Sequence, residues 1–332
     1  MIVGVDLCVH PDKKANTQVC LYVFQNMLEK ILTILGPTAS GKTKVSLEIA
    51  DKINGEIISA DSRQIYRYMD IGTAKPGLDE RGKIPHHLID IVNPDEYFSA
   101  ADYSARARRA IREILSRGRE PIVVGGSGLY LRALFKGFFK GPGRDENLRQ
   151  ELKESAEKFG IESLYRELKE KDPEAAEKIG PHNLVRIIRA LEVYELSGQR
   201  ISELQKKGEY PLKEFEFIKI GLELEREKLY QRIDQRVEDM ICSGLVDEVK
   251  SLKIKGYDTS LVPMRTFGYK EIFQYLEGKI SLDEAKQKIK LNTRHFAKRQ
   301  LTWFKKEEGI IWIEAEKTNL KNEILKTFYA QN

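Results

Sequence analysis

Ile31-Leu32-Thr33-Ile34-Leu35-Gly36-Pro37-Thr38-Ala39-Ser40-Gly41-Lys42-Thr43 is an apolar run that opens into the pattern GxxxxGK[ST]. Val45, Leu47, Ile49 and Ala50 follow at helical spacing. Strand, glycine-rich loop and helix in that order turn a loose pattern into a phosphate-binding loop. The glycines let the backbone curl so that several N–H groups converge on one anion, and the following helix adds the positive end of its dipole. Gly36, Pro37, Thr38, Ala39, Ser40, Gly41, Lys42 and Thr43 are therefore expected to hold a diphosphate. Lys42 neutralises its oxygens, and the Thr43 hydroxyl is placed to ligate Mg2+. The loop alone does not say which diphosphate it takes.

Short buried-strand signals recur at Glu56–Ala60, Pro121–Gly125, Phe215–Ile220 and Ile310–Ile313. Helical patterns lie between them, such as Ala107, Ala110, Ile111, Ile114 and Leu115. Strands alternating with helices predict an α/β fold, a P-loop core built on a parallel sheet covered on both faces. Sites in such sheets lie beyond the carboxyl ends of the strands. That singles out the loops after Leu35, Ala60 and Val124.

The second of these loops reads Asp61-Ser62-Arg63-Gln64. An acid at a strand end beside a phosphate loop suits a base or a magnesium ligand, and it equally suits the N-cap of a following helix. Further on, Met69–Pro76 ends in loop chemistry able to fold over the site. The third loop, Gly125-Gly126-Ser127-Gly128, offers N–H groups and a hydroxyl, or simply a tight turn before a helix. His86-His87 has no Cys or His partner at metal spacing and reads as structural. No hydrophobic strand ends in Asp-Glu, which weighs against energy-coupled nucleotide hydrolysis and toward group transfer.

Composition bounds the rest. The chain of 332 residues is 41% hydrophobic and 32% charged, ordinary for a globular enzyme. No stretch approaches the roughly 18 apolar residues of a membrane span. Cys8, Cys20 and Cys242 lack metal-ligand spacing and fit a reducing cytosol. Residues 1–26 look unlike the rest of the chain, and Met27 is the expected start, leaving them an extension. Residues 27–140 and 211–332 are expected to form the core. Residues 141–210 lose the strand signal and read as an inserted all-helical subdomain. Their 13 Lys/Arg and 15 Asp/Glu show that it is not a basic patch overall. By contrast, Lys286–Lys306 holds eight basic residues and no acidic one, with Phe296 and Trp303 interleaved. Such a helix suits a phosphate backbone, although a solvated face with a stripe of Ile289, Phe296, Leu301 and Phe304 is the bland alternative.

GPTASGKT, ISADSRQIYRYMDIGTAKP, PHHLID, VVGGSGLYL, RALEVYELSG, RTFGYKE and NTRHFAKRQLTWF occur in that order between about Leu28 and Ile313. Together they closely resemble the bacterial tRNA dimethylallyltransferase, or tRNA isopentenyltransferase, family. The resemblance implies a P-loop core whose helical insertion grips the anticodon stem-loop of tRNA. It implies transfer of a dimethylallyl group from dimethylallyl diphosphate to the exocyclic amine of the adenosine 3′-adjacent to the anticodon. The phosphate loop then holds the prenyl donor, with Mg2+ as cofactor. Asp61 matches the family's base, and Lys42 and Arg265 its diphosphate-neutralising cations. Ser127 stands where many members have threonine, keeping the hydroxyl. Asp61, Ser62, Arg63 and Gln64 match tRNA-contacting positions, as do Val185, Arg186, Ile187, Ile188 and Arg189. So do Arg265, Gly268, Tyr269 and Lys270, and within Asn292–Arg299 the cations Arg294, Lys298 and Arg299. No motif after Ile313 supplies the zinc finger of eukaryotic members. A cytoplasmic monomer with no membrane contact is expected. The rival readings are a dimethylallyltransferase acting on free adenylate, a P-loop small-molecule kinase, and an RNA-binding module without chemistry.

Overall fold

The computed structural model describes residues 28–137, 141–207 and 214–331. The expectations for residues 1–26 and for a start at Met27 lie outside them. β1 (Glu29–Leu35) leads through the phosphate loop into α1 (Lys42–Lys52). β2 (Gly55–Ala60), α2 (Leu78–Lys83) and a two-residue β3 (His86–His87) come after it. Next are α3 (Ala100–Ser116), β4 (Glu120–Gly125) and α4 (Gly128–Lys136). A helical stretch then runs through α5 (Glu146–Phe159), α6 (Ile161–Lys171), α7 (Pro173–Ile179), α8 (Leu184–Ser197) and α9 (Ile201–Lys207). The chain returns as β5 (Phe215–Glu223), α10 (Arg226–Cys242), α11 (Leu245–Ile254) and α12 (Tyr269–Leu276). It closes with the long α13 (Leu282–Phe304), β6 (Ile310–Glu314) and α14 (Leu320–Ala330).

All strand pairs are parallel, in the order β3-β2-β4-β1-β5-β6. β1 lies between β4 and β5, with Leu32 level with Ile122 on one side and Ile218 on the other. Its alternate residues serve opposite faces, as the pleat requires. Ile31 and Leu35 join a core with Tyr103, Ile111, Phe273 and Phe304, which brings α3, α12 and α13 onto one face. Leu32 and Ile34 join Val45, Ile49, Ile324 and Phe328, which brings α1 and α14 onto the other. The apolar runs of β1, β2 and β4 are thus strands buried on both faces, while β6 at the sheet edge is mostly half-buried. The sheet gains one strand that periodicity does not reveal, β3, too short to carry a pattern. Its His87 bonds Glu56, a buried carboxylate that also holds Arg117 and Arg119.

Helices α5–α9 bury a separate apolar cluster that includes Leu164, Leu168, Ile187 and Leu191. At its edge the buried Glu192 accepts both arms of Arg149, an arm of Arg189 and the Asp145 amide. Burial opposes its ionisation, but those hydrogen bonds and the arginine charge win and bring its pKa to about 2. The helices break at Gly160, Gly180 and Gly198, all at positive φ. Among the described residues no helix is long and apolar enough to cross a membrane.

Candidate functional site

The carboxyl ends of β1, β2 and β4 open onto one cavity of about 410 Å³. Thr38, Ala39, Gly41, Lys42 and Thr43 form one wall. Ala39 sits at φ 63, a left-handed backbone on a residue with a Cβ, which persists only where the surroundings hold it. Lys42 folds back over its own loop, its Nζ donating to the carbonyls of Gly36 at 3.0 Å and Pro37 at 2.7 Å. Ser40 Oγ is buried with no hydrogen-bond partner, so the loop holds a spare polar group.

The second wall is Asp61, Ser62, Arg63 and Gln64. Asp61 Oδ1 accepts the Arg63 amide at 2.8 Å, so its capping role serves a tight turn and no helix comes next. Ser127 itself stands behind this wall. Its Oγ accepts the Ser62 amide at 2.8 Å, and its amide reaches the Ala60 carbonyl, tying the third loop to the second. Gln64 is fixed by Ser59 and by the carbonyls of Thr73 and Ala74.

Thr73, Ala74 and Pro76 line the cavity as a fixed wall. Glu248 on α11 accepts the amides of Asp70, Ile71 and Gly72 and the hydroxyl of Tyr269. A Cβ on Gly72 would lie 2.6 Å from the Tyr269 ring, so only glycine admits that ring. Apolar surface comes from Ile57, Val124, Phe267 and Phe296, the last two with ring centroids 5.0 Å apart.

Two cations that the sequence did not single out complete the cavity: Arg232 and Arg236, one turn apart on α10. Arg232 pairs with Glu316; Arg236 makes no ion pair among the described residues. Burial pulls the Lys42 pKa from 10.5 down to about 7, helped by the Arg236 charge and opposed by Asp61. Burial also lowers the pKa of Arg236 against the pull of Asp61. One cavity therefore sets several cations, Lys42, Arg63, Arg232 and Arg236 among them, against one carboxylate, Asp61. The (i, i+4) spacing Arg232-x-x-x-Arg236 was the available signal.

Other expected positions fall elsewhere. Arg265 is exposed and turned onto the carbonyls of Thr259 and Ser260, and it does not line the cavity. Arg63, Arg232 and Arg236 are the arginines that line it. Gly268 and Tyr269 are buried, Tyr269 against the cavity, while Lys270 is exposed. In α8, Val185 and Arg186 are exposed, whereas Ile187 and Ile188 are buried in the helical cluster and present no side chain outward. Arg189 is half-buried on Glu192 and the carbonyls of Pro142 and Gly143. None of these five lines the cavity.

The basic helix is less one-signed in three dimensions than in sequence. Arg294 makes a two-armed pair with Asp234, and Lys286 and Lys290 both pair with Glu238, all on α10. Acids far away in the chain answer cations that look unanswered locally. Lys298 and Arg299 stay exposed. The opposite face of α13 is buried through Ile289, Thr293, Ala297, Gln300 and Phe304, so a core stripe and a cationic face coexist.

Fold and cavity define a P-loop α/β protein with a cationic wall facing a carboxylate. A family model described as IPP transferase matches residues 64–307. The chain is 49% identical over 285 residues to the tRNA dimethylallyltransferase of Geobacter metallireducens, covering 86% of this chain and 92% of that one. It is 50% identical over 309 residues to that of Thermotoga neapolitana, covering 90% and 99%. Among solved structures, the tRNA isopentenylpyrophosphate transferase of Bacillus halodurans superposes with TM-score 0.67 at 42% identity, over 91% of this chain and 95% of that one. A eukaryotic dimethylallyltransferase acting on tRNA gives TM-score 0.80 at 30% identity, over 92% and 80%. The chain belongs to the IPP transferase family.

Proposed function

We propose that this protein transfers a dimethylallyl group from dimethylallyl diphosphate to the exocyclic amine of the adenosine 3′-adjacent to the anticodon in tRNA, releasing diphosphate. The observation that carries the reading is the cavity itself, where Lys42 and Arg236 face Asp61 beside the apolar surface of Phe267 and Phe296. The diphosphate rests on the phosphate loop, with the prenyl tail on the apolar wall. The amine nitrogen attacks the allylic carbon. That carbon's bond to oxygen breaks, and diphosphate leaves with the electron pair. Asp61 takes the proton the amine sheds. Lys42, Arg232 and Arg236 stabilise the charge that develops on the leaving group. The target base must leave its stack to enter such a cavity.

Magnesium fits this donor set. Among the described residues no cluster of three His, Cys, Asp or Glu is available, yet Mg2+ takes most of its ligands from phosphate oxygens and water. The exposed Thr43 hydroxyl would hold it, with Asp61 on the facing wall. When bound, the ion supplies further charge neutralisation on the diphosphate.

Residues 141–210 form the tRNA-gripping insertion in this reading, and residues 27–140 and 211–332 the catalytic core. Exposed Val185, Arg186, Lys298 and Arg299 are the surfaces offered to the anticodon stem-loop. The protein works as a monomer in the cytoplasm. A kinase reading would require ATP on the phosphate loop. Calorimetry should show tighter binding of dimethylallyl diphosphate than of ATP, and a preference for ATP with phosphate release would overturn the assignment.

Two further outcomes are expected. Changing Lys298 and Arg299 to Gln should flatten the log-affinity versus log-salt slope for tRNA by about 0.7–0.9 per lost contact. An unchanged slope would make the exposed face of α13 merely solvated. Arg294 is left out of this variant because its loss would strand Asp234.

The second outcome concerns protons. Free Lys42 titrates at about 7, so it is largely neutral at about pH 8, and an arriving anion raises its pKa. Donor binding at that pH should take up close to one proton, and affinity should fall as pH rises above about 7. Because the folded pKa lies below the unfolded value, the same group makes the folded state gain stability as pH rises from about 7 toward 10.5. Calorimetry in buffers of different ionisation enthalpy reads the uptake. Equal uptake in wild type and Lys42→Met would assign it elsewhere.

A further inference from the structure

We propose that Gln300 is a positioning residue for prenyl transfer, a clamp that fixes the phosphate loop against the Gly126 turn. The proposal rests on the donor reading of the cavity. Gln300 is 8% exposed on the inward face of α13. Its Nε2 donates to the Gly126 carbonyl at 2.9 Å, and its Oε1 accepts the Thr38 amide at 2.9 Å. One side-chain amide thus spends its donor on one loop and its acceptor on another, across 174 and 262 residues of chain. The fit is close: a Cβ on Gly126 would stand 2.4 Å from Gln300 Nε2.

The neighbours on the same face support a bracing role. Phe296, one turn before, lines the cavity. Trp303, one turn after, covers the start of α4 so closely that a Cβ on Gly128 would lie 2.4 Å from its ring. One rigid helix therefore braces the phosphate loop and the β4–α4 turn.

The place of Thr38 explains why the clamp matters for chemistry. On one side stands Pro37, whose carbonyl holds Lys42. On the other stands Ala39 at φ 63. A left-handed alanine stays put only while its neighbours over-determine it. Freeing the Thr38 amide releases one of those restraints, and Lys42 moves with the loop. Gln300 borders the cavity itself, but its amide is engaged by Thr38 and Gly126, and it acts through them.

Gln300→Met conserves volume and removes both bonds. The donor KM should rise about tenfold or more, as expected for two buried partners left unpaired, while tRNA affinity stays within about twofold. Gly126→Ala attacks the same bond from the other loop and should give the same signature. The double variant should be no worse than the worse single one. A merely structural role would lower Tm and leave the donor KM in place. Donor KM and kcat within about twofold of wild type in whichever single variant folds would overturn the clamp, as would an equal loss of tRNA affinity. The wild-type control separates the clamp from the donor assignment. Wild type that binds no dimethylallyl diphosphate sinks the donor reading, whereas wild-type binding with unaffected variants sinks the clamp.

Discussion

Replacing Asp61 with asparagine should lower the single-turnover rate of prenyl transfer by about 10²–10⁴, the usual share of a general base. Asparagine keeps the shape and an oxygen for the Arg63 amide, so the turn over Asp61–Gln64 survives. tRNA affinity should be unchanged, because the exposed cations of α8 and α13 are not in this wall. A second effect must be separated from the first. Asp61 raises the Lys42 pKa, so its loss leaves more of Lys42 neutral near pH 7 and weakens the donor. Measured below about pH 6 with saturating donor, where Lys42 is charged in both proteins, the rate loss reports proton abstraction alone. A rate within a few-fold of wild type would reduce Asp61 to the acceptor of a backbone turn.

Lys42→Met carries the other large effect. The side chain is half-buried and its bonds run only to Gly36 and Pro37. Removing it leaves the sheet and both core clusters intact. Transfer, however, loses a cation from the leaving group, and losses of about 10²–10³ in rate are typical of one such donor. Donor affinity should fall as well, because hydrogen bonds to charged groups are worth about 1.5–3 kcal/mol each. tRNA binding should persist. Should Lys42→Met retain near-normal transfer, Arg236 would be the dominant counter-charge, and Arg236→Gln would then show the loss instead.

The sequence exposes local features of this molecule and hides the tertiary ones. The phosphate-loop pattern is legible because strand, loop and helix are contiguous in the chain. Asp61 is legible because strand ends in parallel sheets gather on one side. Arg236 escapes a local reading because only folding carries α10 to the cavity, and a motif that names Arg265 carries no side-chain direction, which the structure turns onto Thr259 and Ser260. Gln300 gives no local sign at all, as its partners lie 174 and 262 residues away. Lys286–Lys306 illustrates the opposite error. Its missing acids sit on α10 as Asp234 and Glu238, so part of an apparent nucleic-acid surface is spent on helix packing. Ile187 and Ile188 are buried although Val185 and Arg186 beside them are exposed, because a helix must bury one stripe.

Incubating the protein with dimethylallyl diphosphate, Mg2+ and an anticodon stem-loop, followed by mass spectrometry of the digested RNA, tests the central claim most directly. The expected product is a single C5H8 addition on the adenosine 3′ of the anticodon, with one diphosphate released per modified base and none from Asp61→Asn on the same timescale. Prenylation of free adenylate in preference to the stem-loop, or phosphate release from ATP with the RNA unmodified, would contradict the account.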